Sequence, residues 1–370
     1  MKFNCSTNAL IDALQIATKA LPGRTTNQIL EGILVETEEN EVVLTCSDER
    51  IAIVTRLEAY VKEPGRGIIP GKLFSEIVRR LSDEDVEILM NERFSFTIRS
   101  AGNRTNISGQ DPDLYPALPA VSGEKEVSLP QDMLRDMIQK TEFAIATEDM
   151  REVLTGCLLE ISDGDVTMVA LDGFRMALRR AKCGDVLEKL SAIIPGRAVG
   201  DIGKLLSDDP EAFATLSFSG NKLQIRLEKT EIFVILVDGE YIQYRQILPP
   251  RFATRVVMDL EPFRRAIDRA ALIAREGNNN LLILKIADGE MAVEAHSQIG
   301  DVYEKLDIQQ EGANLNIAFN VKYLTDVVRY IDTEQIEINL NNAISPCIIM
   351  PLGDRDYVHL VLPIRTGATN

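Results

Sequence analysis

The chain has 370 residues, of which 45% are hydrophobic and 26% are charged, a composition typical of a folded globular protein. No apolar stretch is long enough for a membrane helix, and the N-terminus lacks the apolar segment of a signal peptide, so we expect a cytoplasmic protein with no membrane partner. The formal net charge of −17 argues, taken alone, against a nucleic-acid partner. Five widely spaced cysteines without a C-x-x-C pair predict free thiols.

A short motif repeats along the chain. Ile68–Lys72 reads Ile-Ile-Pro-Gly-Lys, and Ile193–Arg197 reads Ile-Ile-Pro-Gly-Arg, about a third of the chain further on. A related segment, Phe319–Lys322, follows after a similar interval. Each copy precedes apolar residues at helical spacing mixed with basic ones, which predicts a strand followed by a helix that opens at Pro or Asn. We therefore predict three tandem domains, at 1–120, 121–250 and 251–370.

The first unit begins with a strand at Lys2–Cys5 and a helix that Ser6 or Thr7 can cap. The proline-rich segment Asp111–Pro116 ends the unit. Between them the pattern predicts strands at 29–36, 41–46, 51–57, 86–90, 94–99 and 105–108, and a helix that starts at Pro70.

The second and third units repeat this order. Pro130 and Pro195 are expected to open the helices of unit two, and Pro262 and Asn320 those of unit three. Each unit therefore has the order helix, strands, helix, strands, which is an α+β domain. Strands are predicted at 126–129, 156–161, 166–170, 176–180, 214–218, 222–227, 232–237, 255–259, 281–287, 291–297, 302–308, 335–339, 347–352 and 357–364.

The charge is unevenly distributed among these elements. Summed over six predicted helices, at 6–24, 72–80, 131–151, 195–205, 262–276 and 320–331, the charge is slightly positive, so the acidic residues are concentrated in strands and loops. Such helices could face phosphate groups, although ordinary amphipathic helices on a globular protein would give the same pattern.

The common catalytic patterns are missing from the sequence. Gly196–Leu205 superficially resembles a phosphate loop, but its spacing is wrong and Leu205 replaces the hydroxyl that binds magnesium. His296 and His359 are the only histidines, and neither has a cysteine nearby, which argues against a zinc site or a Ser-His or Cys-His pair. We expect no catalytic residues, no metal and no cofactor.

Several motifs, in this order, resemble the bacterial sliding clamp family, the β subunit of DNA polymerase III. Asp172–Ala177 resembles the family's Asp-Gly-His-Arg-Leu-Ala turn, and Val361–Arg365 resembles its C-terminal signature. Further matches are Pro22-Gly23-Arg24, Asp149-Met150-Arg151, Asp238-Gly239, Tyr244-Arg245 and Ser345-Pro346-Cys347.

The resemblance implies three tandem DNA-clamp domains in a head-to-tail homodimer, a closed six-domain ring with helices inside and sheets outside. Such a ring encircles duplex DNA, holds it through loose phosphate contacts without base readout, and acts as a processivity factor rather than an enzyme. The basic residues expected to face the DNA are Lys19, Arg24, Lys72, Arg79, Arg80, Arg197, Lys204, Arg264, Arg265, Arg269, Lys322 and Arg329.

The resemblance also implies an apolar pocket between units two and three. This pocket takes short linear motifs from the DNA polymerase III alpha subunit, the clamp loader, and other polymerases and repair proteins. Its walls would be Leu154, Leu171, Gly173, Phe174, Arg175, Met176, Ile242, Ile247, Ser345, Leu362, Pro363, Ile364 and Arg365.

The sequence departs from the family pattern at several positions. Phe174 replaces the usual histidine and Ile242 the usual pocket proline, which leaves the pocket apolar but alters its shape. Glu152 and Val153 replace an aromatic pair that touches DNA. At the dimer interface Leu272, Ile273 and Ile107 match apolar positions, while the aromatic expected near Thr105 is absent; Thr366–Asn370 extends past the usual end.

Two other classes of protein remain open on the sequence alone. One is a scaffold of clamp fold that does not encircle DNA, which would be monomeric and would not stimulate a polymerase. The other is an enzyme with a carboxylate pair in a concave pocket, which raised carboxyl pKa values would reveal.

Overall fold

The computed structural model describes residues 1–122, 125–148, 151–184, 189–277 and 280–365. The chain forms two compact units: Met1–Asp132 with Asp201–Leu236, and the described residues of Met133–Gly200 with Val237–Asn370. Asp149, Met150 and the tail Thr366–Asn370 lie outside the described residues, so the motif and the extension noted there carry no structural account.

The first third of the chain forms nine strands and two α-helices within its described residues, with short 3₁₀ turns at Thr18–Ala20, Gln28–Glu31 and Pro112–Leu114. The elements are β1 (Lys2–Ser6), α1 (Thr7–Ala17), β2 (Gly32–Glu38), β3 (Glu41–Ser47), β4 (Ile51–Glu58), β5 (Tyr60–Glu63), β6 (Arg66–Pro70), α2 (Gly71–Val78), β7 (Asp85–Met90), β8 (Ser95–Ser100) and β9 (Asn103–Ser108).

The middle third repeats the order and adds a short helix at its end. Its 3₁₀ turns are Glu142–Ala144 and Glu152–Thr155. The elements are β10 (Lys125–Pro130), α3 (Gln131–Gln139), β11 (Gly156–Ser162), β12 (Asp165–Leu171), β13 (Arg175–Lys182), β14 (Leu190–Pro195), α4 (Gly196–Gly203), β15 (Phe213–Ser219), β16 (Lys222–Arg226), β17 (Thr230–Ile235) and α5 (Tyr244–Ile247).

The last third has the longest helix of the described residues. Its elements are β18 (Thr254–Asp259), α6 (Leu260–Arg275), β19 (Leu281–Ala287), β20 (Glu290–His296), β21 (Asp301–Asp307), β22 (Gln309–Gly312), β23 (Leu315–Asn320), α7 (Val321–Tyr330), β24 (Gln335–Leu340), β25 (Cys347–Pro351) and β26 (Tyr357–Val361).

The first compact unit, Met1–Asp132 with Asp201–Leu236, contains two antiparallel sheets. One has the order β5-β1-β7-β8-β9, and the other has the order β10-β15-β16-β17-β4-β3-β2-β6. The eight-stranded sheet combines strands of the first and second repeats, because β17 pairs with β4. At this junction the hydroxyls of Thr55 and Thr230 are 2.9 Å apart, and Arg56 forms an ion pair with Glu231 at 2.9 Å.

The second unit has the same plan. A nine-stranded sheet, β14-β11-β12-β13-β26-β25-β24-β18-β22, combines strands of the second and third repeats, and a four-stranded sheet has the order β21-β20-β19-β23. Along β26, Tyr357 and Val361 belong to the core beneath α6 and α7, whereas Leu360 belongs to a cluster on the opposite sheet face. The alternation along a strand therefore places two apolar layers on one sheet.

The repeated Pro-Gly has a packing reason. Gly71 and Gly196 are the first residues of α2 and α4. A Cβ on Gly71 would lie 3.1 Å from the Glu31 carbonyl oxygen, and a Cβ on Gly196 would lie 2.9 Å from that of Thr155. Both carbonyls belong to the 3₁₀ turn that precedes the neighbouring strand, so the helix can approach this turn only where no side chain intervenes.

Two predicted helices are shorter than expected. The helix at 131–151 ends at Gln139, and the helix at 6–24 ends at Ala17. In each case a threonine hydroxyl donates to a carbonyl four residues back, Thr141 to Met137 at 2.7 Å and Thr18 to Leu14 at 2.6 Å, and a 3₁₀ turn follows. The predicted cap on α1 is confirmed, since the Ser6 hydroxyl accepts from the Ala9 amide at 3.5 Å.

Candidate functional site

An apolar cluster lies on the face of the nine-stranded sheet opposite α6 and α7. It brings together five of the predicted pocket residues, with Leu154, Leu171 and Met176 buried and Ile242 and Leu362 half-buried against them. The segment that ends in α5 covers part of this face, because Tyr241 and Tyr244 are buried in the same cluster.

A tight turn at the end of β12 places an aromatic ring at the edge of this cluster. Gly173 has a φ of +85°, and the Asp172 carboxylate accepts from the amides of Phe174 and Arg175 at 3.0 Å each. Phe174 is 59% exposed, and its ring stacks on that of Tyr323 with centroids 6.1 Å apart. Tyr323 was missed by the sequence analysis, although it lies in the predicted helix after Asn320.

The side chain of Arg175, a predicted wall residue, is held by contacts within its own unit. Its side chain is only 8% exposed and donates to Asp172 at 2.9 Å, to the Phe143 carbonyl at 2.6 Å, and to Asp326. The guanidinium also lies 4.9 Å from the centre of the Tyr323 ring. Because every one of these partners belongs to the protein itself, Arg175 is a structural cation that ties β13 to α7.

The remaining predicted wall residues lie on α5 and on two segments near the C-terminus. Ile247 on α5 is 40% exposed. The segment after β26 is fixed by two backbone bonds, from the Leu362 amide to the Phe174 carbonyl and from the Ile364 amide to the Ala318 carbonyl, both 2.8 Å. Ser345, Pro363 and Ile364 are half-buried, and Arg365 is exposed.

The basic residues predicted to face DNA fall into three groups. Arg24, Lys72, Arg79, Arg197, Lys204, Lys322 and Arg329 are exposed, and Lys19 is half-buried. Arg80, Arg265 and Arg269 are also exposed and form ion pairs with Glu76, Glu261 and Glu304 respectively, and Lys204 of the first group lies 3.8 Å from Asp201.

Arg264 forms the third group, and its side chain is committed to a structural contact. Its guanidinium donates to the carbonyls of Val328 at 3.0 Å and Ile331 at 2.9 Å, where α7 ends, and it pairs with Glu261 at 3.1 Å. A cation at the C-terminus of a helix satisfies carbonyls that have no partner within the helix. The sequence pattern alone did not distinguish this capping arginine from its exposed neighbours.

The predicted interface residues lie near the ends of two sheets. β9 is the last strand of the five-stranded sheet, and β21 is the last strand of the four-stranded sheet. Ile107 on β9 is only 5% exposed, because it packs in the core of its own unit. Leu272 on α6 is exposed, whereas Ile273 is half-buried against the core.

Two exposed apolar residues in and beside β21 were missed by the sequence analysis. Ile299 precedes β21 and Tyr303 lies on it, and both are exposed. The ion pair from Arg269 to Glu304 joins α6 to β21, and alternation along the strand places Tyr303 on the opposite sheet face from Glu304. Alternation along β21 was the available sequence signal for Tyr303.

The two histidines occupy contrasting sites. His359 is buried on β26 with its ring 4.4 Å from that of Tyr357, and His296 is exposed at the end of β20. Among the described residues no three His, Cys, Asp or Glu side chains are grouped to hold a metal ion. In the same residues no helix is long and apolar enough to cross a membrane.

Tandem α+β repeats joined through shared antiparallel sheets define a protein of the DNA-clamp class. Family models match the chain in the same order: the N-terminal domain of the DNA polymerase III beta subunit over residues 1–119, the central domain over 128–243, and the C-terminal domain over 245–365. The chain belongs to the DNA polymerase III beta subunit family.

Individual relatives agree with this assignment. The beta sliding clamps of Staphylococcus aureus and Staphylococcus epidermidis are each 35% identical over 378 aligned residues, which cover 99% of this chain and 100% of the relative. The crystal structure of the DNA polymerase sliding clamp from Bacillus subtilis is 31% identical, with a TM-score of 0.95 and 99% of each chain covered. The DNA polymerase III beta subunit structure from Thermotoga maritima is 27% identical, with a TM-score of 0.92, and covers 99% of this chain and 100% of that one.

Proposed function

We propose that this protein is a DNA sliding clamp. Two copies close into a ring around duplex DNA and tether the replicative polymerase, the clamp loader, and other replication and repair proteins. The observation that carries the proposal is the match of all three family domains, in order, to a chain with the clamp fold. The ring acts as an accessory subunit, and the chemistry is performed by its partners.

The ring closes through the two sheet ends described above. β9 of one copy lies beside β21 of the other, and the antiparallel sheets continue across the junction, which is how a head-to-tail contact closes without an open edge. Leu272, Ile299 and Tyr303 supply exposed apolar surface for this contact. The proposed repeat boundaries, at 120 and 250, separate three domains of each copy.

The exposed cations of the helices face the DNA in this arrangement. They interact with phosphate groups through water and at variable distances, so the ring slides rather than binding at one sequence. Arg264 is excluded from this set, because its donors are occupied by α7.

The peptide pocket is the apolar cluster around Leu171, Met176 and Leu362, bounded by Phe174 on one side and Ile247 on the other. A partly exposed apolar surface with fixed walls suits a short motif that carries aliphatic and aromatic anchors. The Phe174 ring, stacked on Tyr323, makes one wall aromatic, and Phe174 itself has no ionisable group.

A fluorescence-polarisation titration with a labelled Gln-Leu-Ser-Leu-Phe peptide tests the pocket. We expect saturable binding by the parent protein and a loss of about tenfold or more for Ile247→Glu, which puts a charge on the apolar wall. Leu114→Glu is the matched control, because it makes the same kind of change on an exposed aliphatic residue outside the cluster and outside the proposed dimer contact. Equal binding by the parent and Ile247→Glu would refute this location of the pocket.

A further inference from the structure

The wall of the pocket that carries Ile247 is a very short helix. α5 has four residues, and its N-cap residue, Gln243, makes no side-chain capping bond. An isolated turn of this length is not stable by itself, so contacts with the rest of the unit must hold it in place. Tyr244, its first residue, is buried in the pocket cluster, and this burial anchors one side of the turn.

The hydroxyl group of Tyr244 forms a hydrogen bond with a carboxylate. Its hydroxyl donates to Oε2 of Glu160 on β11 at 2.6 Å, and the guanidinium of Arg245 donates to the same oxygen at 2.8 Å. The Arg245 guanidinium also lies over the Tyr244 ring, 4.5 Å from its centre. One carboxylate oxygen therefore holds two consecutive side chains of α5.

The surroundings make this contact stronger than an ordinary surface pair. The Glu160 side chain is mostly buried, and burial followed by the bond to Glu160 raises the pKa of Tyr244 well above its usual range. The tyrosine therefore keeps its proton and is the donor in this hydrogen bond under physiological conditions. A charge-assisted bond that is shielded from water contributes more than a solvated one.

We propose that Glu160 is a positioning residue for the peptide pocket: it fixes α5, and through α5 it sets the position of the Ile247 wall. Glu160 itself does not touch the bound motif. This inference rests on the proposed function, because it assigns a role within the pocket described there.

The test is a double-mutant cycle measured by peptide affinity. We expect Glu160→Ala to weaken binding of the labelled peptide about tenfold, while Glu160→Gln, which keeps an oxygen acceptor for the Tyr244 hydroxyl, retains most of the affinity. In the background of Ile247→Ala, adding Glu160→Ala should have little further effect, because Glu160 acts only through the wall that Ile247 provides. Glu290→Ala is the control, since it removes a carboxylate that pairs with Lys305 at 2.8 Å elsewhere in the unit.

Each outcome decides a different point. If the parent protein binds the peptide and Glu160→Ala binds it equally well, the positioning role is wrong while the pocket stands. If the effects of Glu160→Ala and Ile247→Ala multiply, Glu160 acts independently of the wall and the inference is also wrong. If the parent fails to bind the peptide, the proposed pocket fails and this inference fails with it.

Discussion

Among single residues, His359 has an unfavourable site for a charge. It is fully buried, and both ring nitrogens lack a hydrogen-bond partner in the described part of the chain. Burial, followed by the positive charge of Lys140, lowers its pKa from 6.5 to about 3. Because the folded pKa lies below the unfolded one, the unfolded chain takes up the proton first, and stability is lost as the pH falls below about 6.5.

Replacing this histidine should remove part of the acid sensitivity. The quantity compared is the free energy of unfolding of His359→Phe minus that of the parent. We expect this difference to increase by about 1.4 kcal/mol for each unit by which the pH falls between pH 6 and pH 4. Urea unfolding at several pH values measures this difference. Leu114→Phe is the control, because it changes an exposed side chain that has no ionisable group, and its curve should run parallel to that of the parent. A parallel curve for His359→Phe would show that the buried ring is protonated in the folded state.

Arg175 illustrates a family motif residue with a structural role at the same scale. Removing its guanidinium would leave Asp326 and the Phe143 carbonyl without their donor. We expect Arg175→Ala to lower the free energy of unfolding by about 3 kcal/mol, whereas Arg365→Ala, an exposed change, should lower it by less than about 0.5 kcal/mol. Thermal or urea unfolding checks both. Two equally mild effects would mean that the Arg175 contacts contribute little.

At the scale of elements, the proposed ring closes through the surface formed by α6 and the start of β21. Leu272 is exposed in the single chain, so Leu272→Glu should leave the fold intact while placing a charge in the dimer contact. We expect a shift from dimer to monomer in size-exclusion chromatography with light scattering, and an unchanged circular dichroism spectrum. Ile273 is less suitable for the test, because it packs against the core. Leu352→Glu, exposed after β25, should remain dimeric; a dimeric Leu272→Glu would move the interface elsewhere.

Helices and strands could be predicted from the sequence where residues close together in the chain determine them. The starts of α2 and α7 follow from Pro70 and Asn320, and the Asn320 side chain does accept from the Lys322 amide at 3.0 Å. Pairing between strands far apart in sequence has no local signal, so the joining of β17 to β4 was not predicted. The sites show the same limit: the motif at Asp172–Ala177 located exposed Phe174, but Glu160 lies 84 residues from Tyr244 and was missed.

For the whole molecule, the decisive property is a net charge of −17 on a protein that surrounds a polyanion. General attraction between such partners is weak, so retention on DNA must come from the closed ring and not from affinity. The exposed helix cations reduce the local repulsion without forming a tight complex. This separates two measurable quantities, the strength of direct binding and the lifetime on closed circular DNA.

The two quantities should respond differently to salt and to charge reversal. Direct binding to short linear duplexes should weaken steeply as salt rises, whereas parent protein loaded onto a nicked circle should remain at high salt until the circle is cut. Lys322→Glu with Arg329→Glu should impair loading, because the proposed ring directs these exposed cations of α7 toward the DNA. Lys182→Glu with Lys229→Glu, exposed at the end of β13 and in the turn between β16 and β17, is the control and should load normally. Rapid loss of the parent from uncut circles would exclude topological retention, and normal loading of the α7 variant would place that helix away from the DNA.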